Sequence, residues 1–367
     1  MVNRSIQPSR KMLKHELDAG YIPPIFPRGL EIDKIAAIDR GSFYEYHCPH
    51  AHFLLKALDV EADMYNVPGG TKPREFLFRG HKEATWKLEP SVYRLPNQAT
   101  PEQISTQQNR VSAHFGAGHF DHELQPFHQF LEGINDLGMF IDNDSVGIID
   151  DRRSRERAEG SSLSQLNPLG FSEFSFPTKE QLRALALAQH YGLPTRLLDW
   201  TSNPYVALFF AVESIDRINS DNANMELGIW VIPRLLPELV KVFKFLEIVD
   251  VPKFQNANII AQQGIFTSHI PTLSDVSERG AKPPLDQKKS NFVTFDQYLT
   301  DHKNDELYQQ VLDTTKKPLL FKLKYCEIGP IRRKLDQLNI NWRTMMPNLE
   351  GATKEAIRRY KMVSISD

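Results

Sequence analysis

The spacing of apolar and polar positions changes several times along this 367-residue chain, and each change marks an element. Residues 75–80 form a short apolar run, Glu75-Phe76-Leu77-Phe78-Arg79-Gly80, which predicts a strand ending at the glycine. Trp86 to Arg94 alternates at first and then stops at Pro90, and reads as a second strand or extended segment. His52–Leu58 and His122–Leu131 have clustered apolar positions that predict helices, with Pro126 near a start or a kink. Leu182, Leu185, Ala186 and Gln189 recur at helical spacing, so residues 179–191 predict a helix that Gly192-Leu193-Pro194 stops. Thr195–Thr201 predicts a strand, on which Leu197, Asp199 and Thr201 share one face and Arg196, Leu198 and Trp200 the other. Asn203-Pro204 then reads as a helix start, because Asn is a favoured cap and proline at the first helical position loses no needed N–H. The helix from Tyr205 to about Arg217 is apolar nearly all round in its first turns, so it should be buried. Leu227–Ile232 and Leu319–Tyr325 predict core strands, and Ile331–Leu338 a late helix.

Between these elements the pattern weakens. Residues 1–70 read as a helical N-terminal extension, with a proline-rich linker at Tyr21–Pro27. Residues 97–177 read as an insertion whose 150–165 stretch is a charged loop, and 274–317 as a second insertion with a loop at 275–290. The remaining core is 72–96, 178–273 and 318–362 within a 71–367 domain. Strands and helices mixed in this order predict an α+β fold.

Composition changes this picture little. At 41% hydrophobic and 25% charged residues the chain has an ordinary globular make-up, and its net charge of −2 gives no global attraction to nucleic acid or anionic membrane. Two cysteines, Cys48 and Cys326, provide no disulfide framework and fit a reducing cytoplasm. The first residues lack the apolar core of a signal peptide, and no apolar run reaches the roughly 18 residues of a membrane span. His47-Cys48-Pro49-His50-Ala51-His52 has the wrong spacing for a closed zinc site, so no metal is expected. There is no P-loop, Gly-x-Gly-x-x-Gly or Gly-x-Ser-x-Gly motif.

Candidate chemistry sits in two segments more than a hundred residues apart. In the first, Arg79 offers a planar fork for phosphate, Gly80 permits close approach of a ligand, and His81 follows. The second runs from Gln189-His190-Tyr191-Gly192 through Leu198-Asp199-Trp200-Thr201-Ser202-Asn203-Pro204 to Phe209-Phe210-Ala211. Each has an ordinary structural use: a surface ion pair for Arg79, a helix C-terminal cap for His190, a cap on the next helix for Asp199 or Thr201. Arg196, facing away from Asp199, reads as a core-edge ion pair.

Together these segments resemble the FRG-domain family, named after a Phe-Arg-Gly, from about Glu75 to Tyr360. They are also similar to two motifs of ADP-ribosyltransferases of the Arg-Ser-Glu type: an Arg-Gly at a first core strand, and a strand, turn and Pro-x-x-Ala-x-x-Phe-Ala helix. The resemblance implies a split mixed sheet like the ADP-ribosyltransferase core, flanked by helices. It implies NAD as co-substrate, an RNA, DNA or protein acceptor, a regulatory or antitoxin partner, and a role as a toxin or anti-phage effector. Arg79 would then grip the pyrophosphate or ribose. Asp199 and Thr201 would line the nicotinamide-ribose pocket with Gly80, His81, His190 and Ser202 around it. The third motif of such enzymes is a glutamate. Its counterpart here, Asn256–Thr267, contains no acid, so Gln263 would hold a ribose hydroxyl and Asp199 supply the charge. Met345–Thr353 resembles a C-terminal FRG signature and reads as a closing turn. The alternative function is a nucleotide- or nucleic-acid-binding module without catalysis.

Overall fold

The computed structural model describes residues 37–59, 76–94, 118–138, 179–213, 215, 218–240, 246–249, 251, 256–269, 294–301, 303–304, 306–315 and 317–363. Residues 1–36 and the 150–165 and 275–290 loops lie outside them. In chain order the elements are β1 (Ala37–Asp39), β2 (Tyr44–Cys48), α1 (Ala51–Ala57), β3 (Phe76–His81), α2 (Ser91–Arg94), α3 (Gly118–Asp136), α4 (Lys179–His190), β4 (Leu197–Thr201), α5 (Pro204–Glu213), β5 (Glu226–Pro233) and α6 (Leu235–Val240). Then come β6 (Leu246–Val249), α7 (Ala257–Gln262), β7 (Gly264–His269), α8 (Phe295–Asp301), α9 (Glu306–Thr315), β8 (Leu319–Lys324), α10 (Ile328–Gln337), α11 (Trp342–Met345) and α12 (Leu349–Val363).

The eight strands form one mixed sheet in the order β1-β2-β8-β5-β3-β4-β7-β6. Only β2–β8 is parallel. The sheet is nearly divided. β3 pairs with β5 over six residues and β4 with β7 over five, whereas β3 meets β4 at a single pair, Phe78↔Thr201. Beyond that pair the ladder stops, beside Arg79–His81 and Asp199.

Both faces of the sheet are covered, which is why β5 reads as a continuous apolar run rather than an alternating one. Leu227, Ile229 and Val231 join Phe76, Phe78 and Phe321 under α5, α1 and α10. Trp230 and Ile232 face the other way, with Leu77, Leu198 and Trp200, against α6, α8 and α9. A third cluster joins α3, α4 and α7 to Leu197 and Phe266. In α5, Pro204, Val206, Ala207, Leu208, Phe209, Ala211 and Val212 are all buried, as its all-round apolar sequence requires. Burial of each large side chain there contributes about 1.5–3 kcal/mol.

Several expectations need correction. The described part of the N-terminal region is not a helical extension. β1 and β2 complete the sheet, and Tyr44–Cys48 runs in register with Leu319–Leu323. The helix expected at His52–Leu58 is present as α1, capped by the His50 side chain, which accepts from the Phe53 N–H. Trp86–Pro90 is irregular and only Ser91–Arg94 is helical; the Leu88 N–H is satisfied by the Asp296 carboxylate at 2.9 Å instead of by a strand partner. α5 spans Pro204–Glu213, and the expected end at Arg217 lies outside the described residues.

α3, within the segment read as an insertion, is fastened to the core. Glu123 takes the Arg196 backbone N–H at 2.7 Å and its side-chain Nε at 2.6 Å, with both side chains almost wholly buried. This is the ion pair expected for Arg196. Among the described residues no helix is long and apolar enough to cross a membrane, and no group of three or more His, Cys, Asp or Glu is arranged to hold a metal ion.

Candidate functional site

The candidate site lies where the β3–β4 ladder ends after one pair. Arg79 Nη1 donates to the Asp199 backbone carbonyl at 2.6 Å and lies 3.7 Å from its carboxylate, while Arg79 Nε donates to His81 Nε2 at 3.0 Å. The guanidinium therefore fills the gap left by the missing ladder bonds and joins the two half-sheets. Asp199 lies on the Leu197 face, as alternation requires, but it is the exposed residue of a strand buried on either side of it. Its Oδ1 accepts from the Gln189 amide at 2.6 Å. Gln189 in turn accepts from the Thr195 hydroxyl, so the end of α4 is tied to the middle of β4 and to the turn before it.

His190 ends α4, and the Asn258 side-chain amide of α7 donates to its Nε2. Burial lowers its pKa from the ordinary 6.5, opposed by the charges of Glu350 and Asp199. The ring is therefore neutral at pH 7, and its one unprotonated nitrogen is the Nε2 that accepts from Asn258.

The residues of the β4–α5 turn and of the third segment clasp one another. The Thr201 hydroxyl donates to the Gln262 carbonyl at 2.7 Å and accepts from the Asn203 N–H at 3.0 Å. Ser202 donates its hydroxyl to Gln263 Oε1 at 3.1 Å and its backbone N–H to the Gln263 carbonyl at 3.3 Å. Gln263 sits at φ 49°, the left-handed cap that ends α7 and starts β7. Asn203 caps α5 as expected, its side chain accepting from the Tyr205 N–H at 3.0 Å.

These contacts assign the sequence candidates to different places. Arg79 joins His81 to Asp199, whose charge also acts on His190. Gln263 and Ser202 lie together. Thr201 is buried, and its hydroxyl is occupied by the turn it stabilises, the structural use open to it from the sequence. Gly80 serves the fold: a Cβ there would stand 1.9 Å from the Ala207 carbonyl oxygen and 3.0 Å from the Ala211 nitrogen, so the glycine admits the backbone of α5. That contact, and not a ligand's approach, requires its lack of a side chain.

Two further residues belong to the site. Trp230 pairs with Arg79 in register and is buried, and its indole N–H has no acceptor among the described residues. Glu350, at the start of α12, lies within electrostatic range of His190, and the hydrogen bond from Lys354 at 2.7 Å holds its carboxyl below the usual range. Neither stands out in sequence. Trp230 reads as core, and Glu350 lies far from the segment where an acid was sought.

An FRG domain model matches residues 143–220, a stretch holding α4, β4 and α5. It begins inside the segment read as an insertion. The match supports the FRG-family resemblance for this part of the chain; Phe78-Arg79-Gly80, the third segment and the C-terminal signature lie outside it. No curated protein and no solved structure matches the chain.

Proposed function

We propose that this chain transfers ADP-ribose from NAD to a macromolecular acceptor, RNA, DNA or protein. One observation carries the reading. Two segments 120 residues apart meet where the β3–β4 ladder ends, and there Arg79 reaches Asp199. A guanidinium held between the two segments by the Asp199 carbonyl and His81 suits a pyrophosphate. An exposed carboxylate and a neutral histidine then stand where a ribosyl centre and an acceptor would meet.

In this reaction the bond between nicotinamide nitrogen and ribose C1′ breaks, and its electron pair leaves with neutral nicotinamide. A lone pair of the acceptor forms the new bond to C1′, and the acceptor's proton passes to solvent. Arg79 binds phosphate, and Gln263 with Ser202 holds a ribose hydroxyl. The resemblance to the FRG family suits a toxin or anti-phage effector with a silencing partner; that is argument from likeness.

The test is incubation of the purified chain with labelled NAD and, separately, total RNA, single-stranded DNA and cell protein. Label should enter one pool, and Arg79→Ala should reduce it by about 10- to 100-fold, the loss of one charged hydrogen-bonding group. The second reading, a binding module without catalysis, is favoured by the absence of an acid in Asn256–Thr267. It gains if the folded chain binds nucleotide but neither transfers label nor releases nicotinamide.

A further inference from the structure

The loop that follows β3 is fastened on both sides of an exposed tryptophan. Before it, the Tyr325 hydroxyl donates to the Lys82 carbonyl at 2.8 Å, and the Ala84 N–H donates to the Glu226 carbonyl at 2.7 Å. Gly228 lets the loop lie on β5, since a Cβ there would stand 3.0 Å from the Ala84 Cα. After it, Leu88 is fully buried, its N–H donates to the Asp296 carboxylate at 2.9 Å, and its carbonyl accepts from the Phe295 N–H at 3.4 Å. The Trp86 N–H closes the turn between them on the Glu83 carbonyl at 3.1 Å. Single exposed apolar side chains are ordinary on a protein surface. Trp86 differs in that its backbone is held from both directions while its side chain is left 45% exposed.

The ring is joined to the candidate site by direct contacts. Its centroid lies 6.2 Å from that of His81, with the planes tilted by 54°. His81 is buried and accepts from Arg79 Nε at 3.0 Å, and Arg79 Nη1 donates to the Asp199 carbonyl at 2.6 Å. Arg79 and His81 are two residues apart on one strand and share a face of the sheet. An exposed flat ring and a guanidinium therefore stand on either side of one buried histidine, and the Arg79 side chain keeps 18% of its surface. A nucleotide has this same arrangement of parts. Its base offers a π-face that stacks on an aromatic ring, and its phosphate, one ribose away, suits a guanidinium. Because the loop is already fixed, little ordering accompanies the binding of a base.

We infer that Trp86 is the stacking platform for a nucleotide base whose attached phosphate is held by Arg79. The inference takes its ligand, the adenosine diphosphate part of NAD, from the ADP-ribosyl-transfer reading, but it concerns binding alone and its test needs no turnover. His81 is a positioning residue that holds the guanidinium in place. The same chemistry would accept a nucleotide within a single strand of nucleic acid, so the experiment separates the two sources.

The experiment follows tryptophan fluorescence and calorimetry as ADP-ribose, ribose 5-phosphate or a short oligodeoxyadenylate is added to the full wild-type chain, Trp86→Phe and Trp86→Leu. ADP-ribose should quench the wild type, because Trp200 and Trp230 are buried and Trp86 is the ring open to a base. Trp86→Phe should bind within about threefold of wild type and lose the quench, since phenylalanine still stacks. Trp86→Leu should bind about tenfold or more weakly with its melting temperature close to wild type, whereas ribose 5-phosphate, which has no base, should bind all three alike. Tighter binding of the oligonucleotide than of ADP-ribose, also weakened in Trp86→Leu, supports the platform and assigns it to a nucleic-acid strand. ADP-ribose binding that depends on Trp86, without nicotinamide release from NAD, supports the platform and removes the transferase reading. A folded Trp86→Leu that binds ADP-ribose within threefold of wild type overturns the inference and leaves the transferase reading standing. A quench that persists in Trp86→Phe also overturns it, because the base then lies elsewhere. A folded wild type that binds neither ADP-ribose nor the oligonucleotide overturns both.

Discussion

Replacing Gly80 by alanine separates two uses of the Phe-Arg-Gly segment. The added Cβ would sit 1.9 Å from the Ala207 carbonyl oxygen and 2.9 Å from its carbon. Both belong to helix backbone, so no side chain can turn aside. α5 would have to retreat by about 1 Å to restore a tolerable contact, and it is the most thoroughly buried helix, seated on Phe76, Phe78 and Ile229. Overpacking of this kind costs typically 1–3 kcal/mol, and the backbone-on-backbone contact places Gly80→Ala at or above about 3 kcal/mol. For a chain of 367 residues that is a fall in melting temperature of roughly 4 °C or more. Thermal unfolding followed by circular dichroism, with a urea titration to show that the slope is unchanged, measures it. If Gly80→Ala melts with the wild type yet fails to bind NAD, the glycine serves a ligand and the helix-contact argument is refuted.

Other consequences follow from charge. Glu123→Ala leaves the Arg196 guanidinium buried without its carboxylate and should cost about 3–5 kcal/mol in urea denaturation, much of it recovered by also replacing Arg196 with methionine. Burial alone would raise the Glu45 pKa, but hydrogen bonds from Lys322, Arg40 and His47 outweigh it and hold the carboxyl at about 2. Because the folded pKa lies below the unfolded one, about 3 kcal/mol of stability is present above pH 4.5 and lost as pH falls toward 2; Glu45→Gln should flatten that limb of the stability profile. The neutral His190 should place the acid limb of any transferase pH profile below 6.5, and His190→Asn should remove that limb.

What could be read from the sequence depended on whether the deciding interaction was local. α4, β4 and α5 were legible because period and punctuation are local: the glycine-proline stop after His190, the alternation through Asp199, the Asn-Pro cap. β1 and β2 were not. Tyr44–Cys48 is a short edge element whose parallel partner, Leu319–Leu323, is supplied near the other end of the chain. Trp86–Pro90 alternates like a strand yet has its N–H groups answered by turns and by Asp296. At the site, the pairing of Arg79 with the Asp199 segment was anticipated from motif likeness, and Arg196 as an ion-pair residue from strand alternation. Gly80 and Thr201 carry structural duties that only the approach of α5 and α7 reveals. Glu350 was missed because its place within range of His190 depends on α11 meeting α7, where the Gln262 side chain donates to the Met345 carbonyl.

The most direct measurement is the rate of nicotinamide release from NAD by the purified wild-type chain and by Arg79→Ala, each shown to be folded and supplied with the acceptor pools. The account predicts release by the wild type, faster with one pool, and a loss of about tenfold or more with Arg79→Ala. No release by a folded wild type with any pool, or equal release by the two proteins, would contradict it.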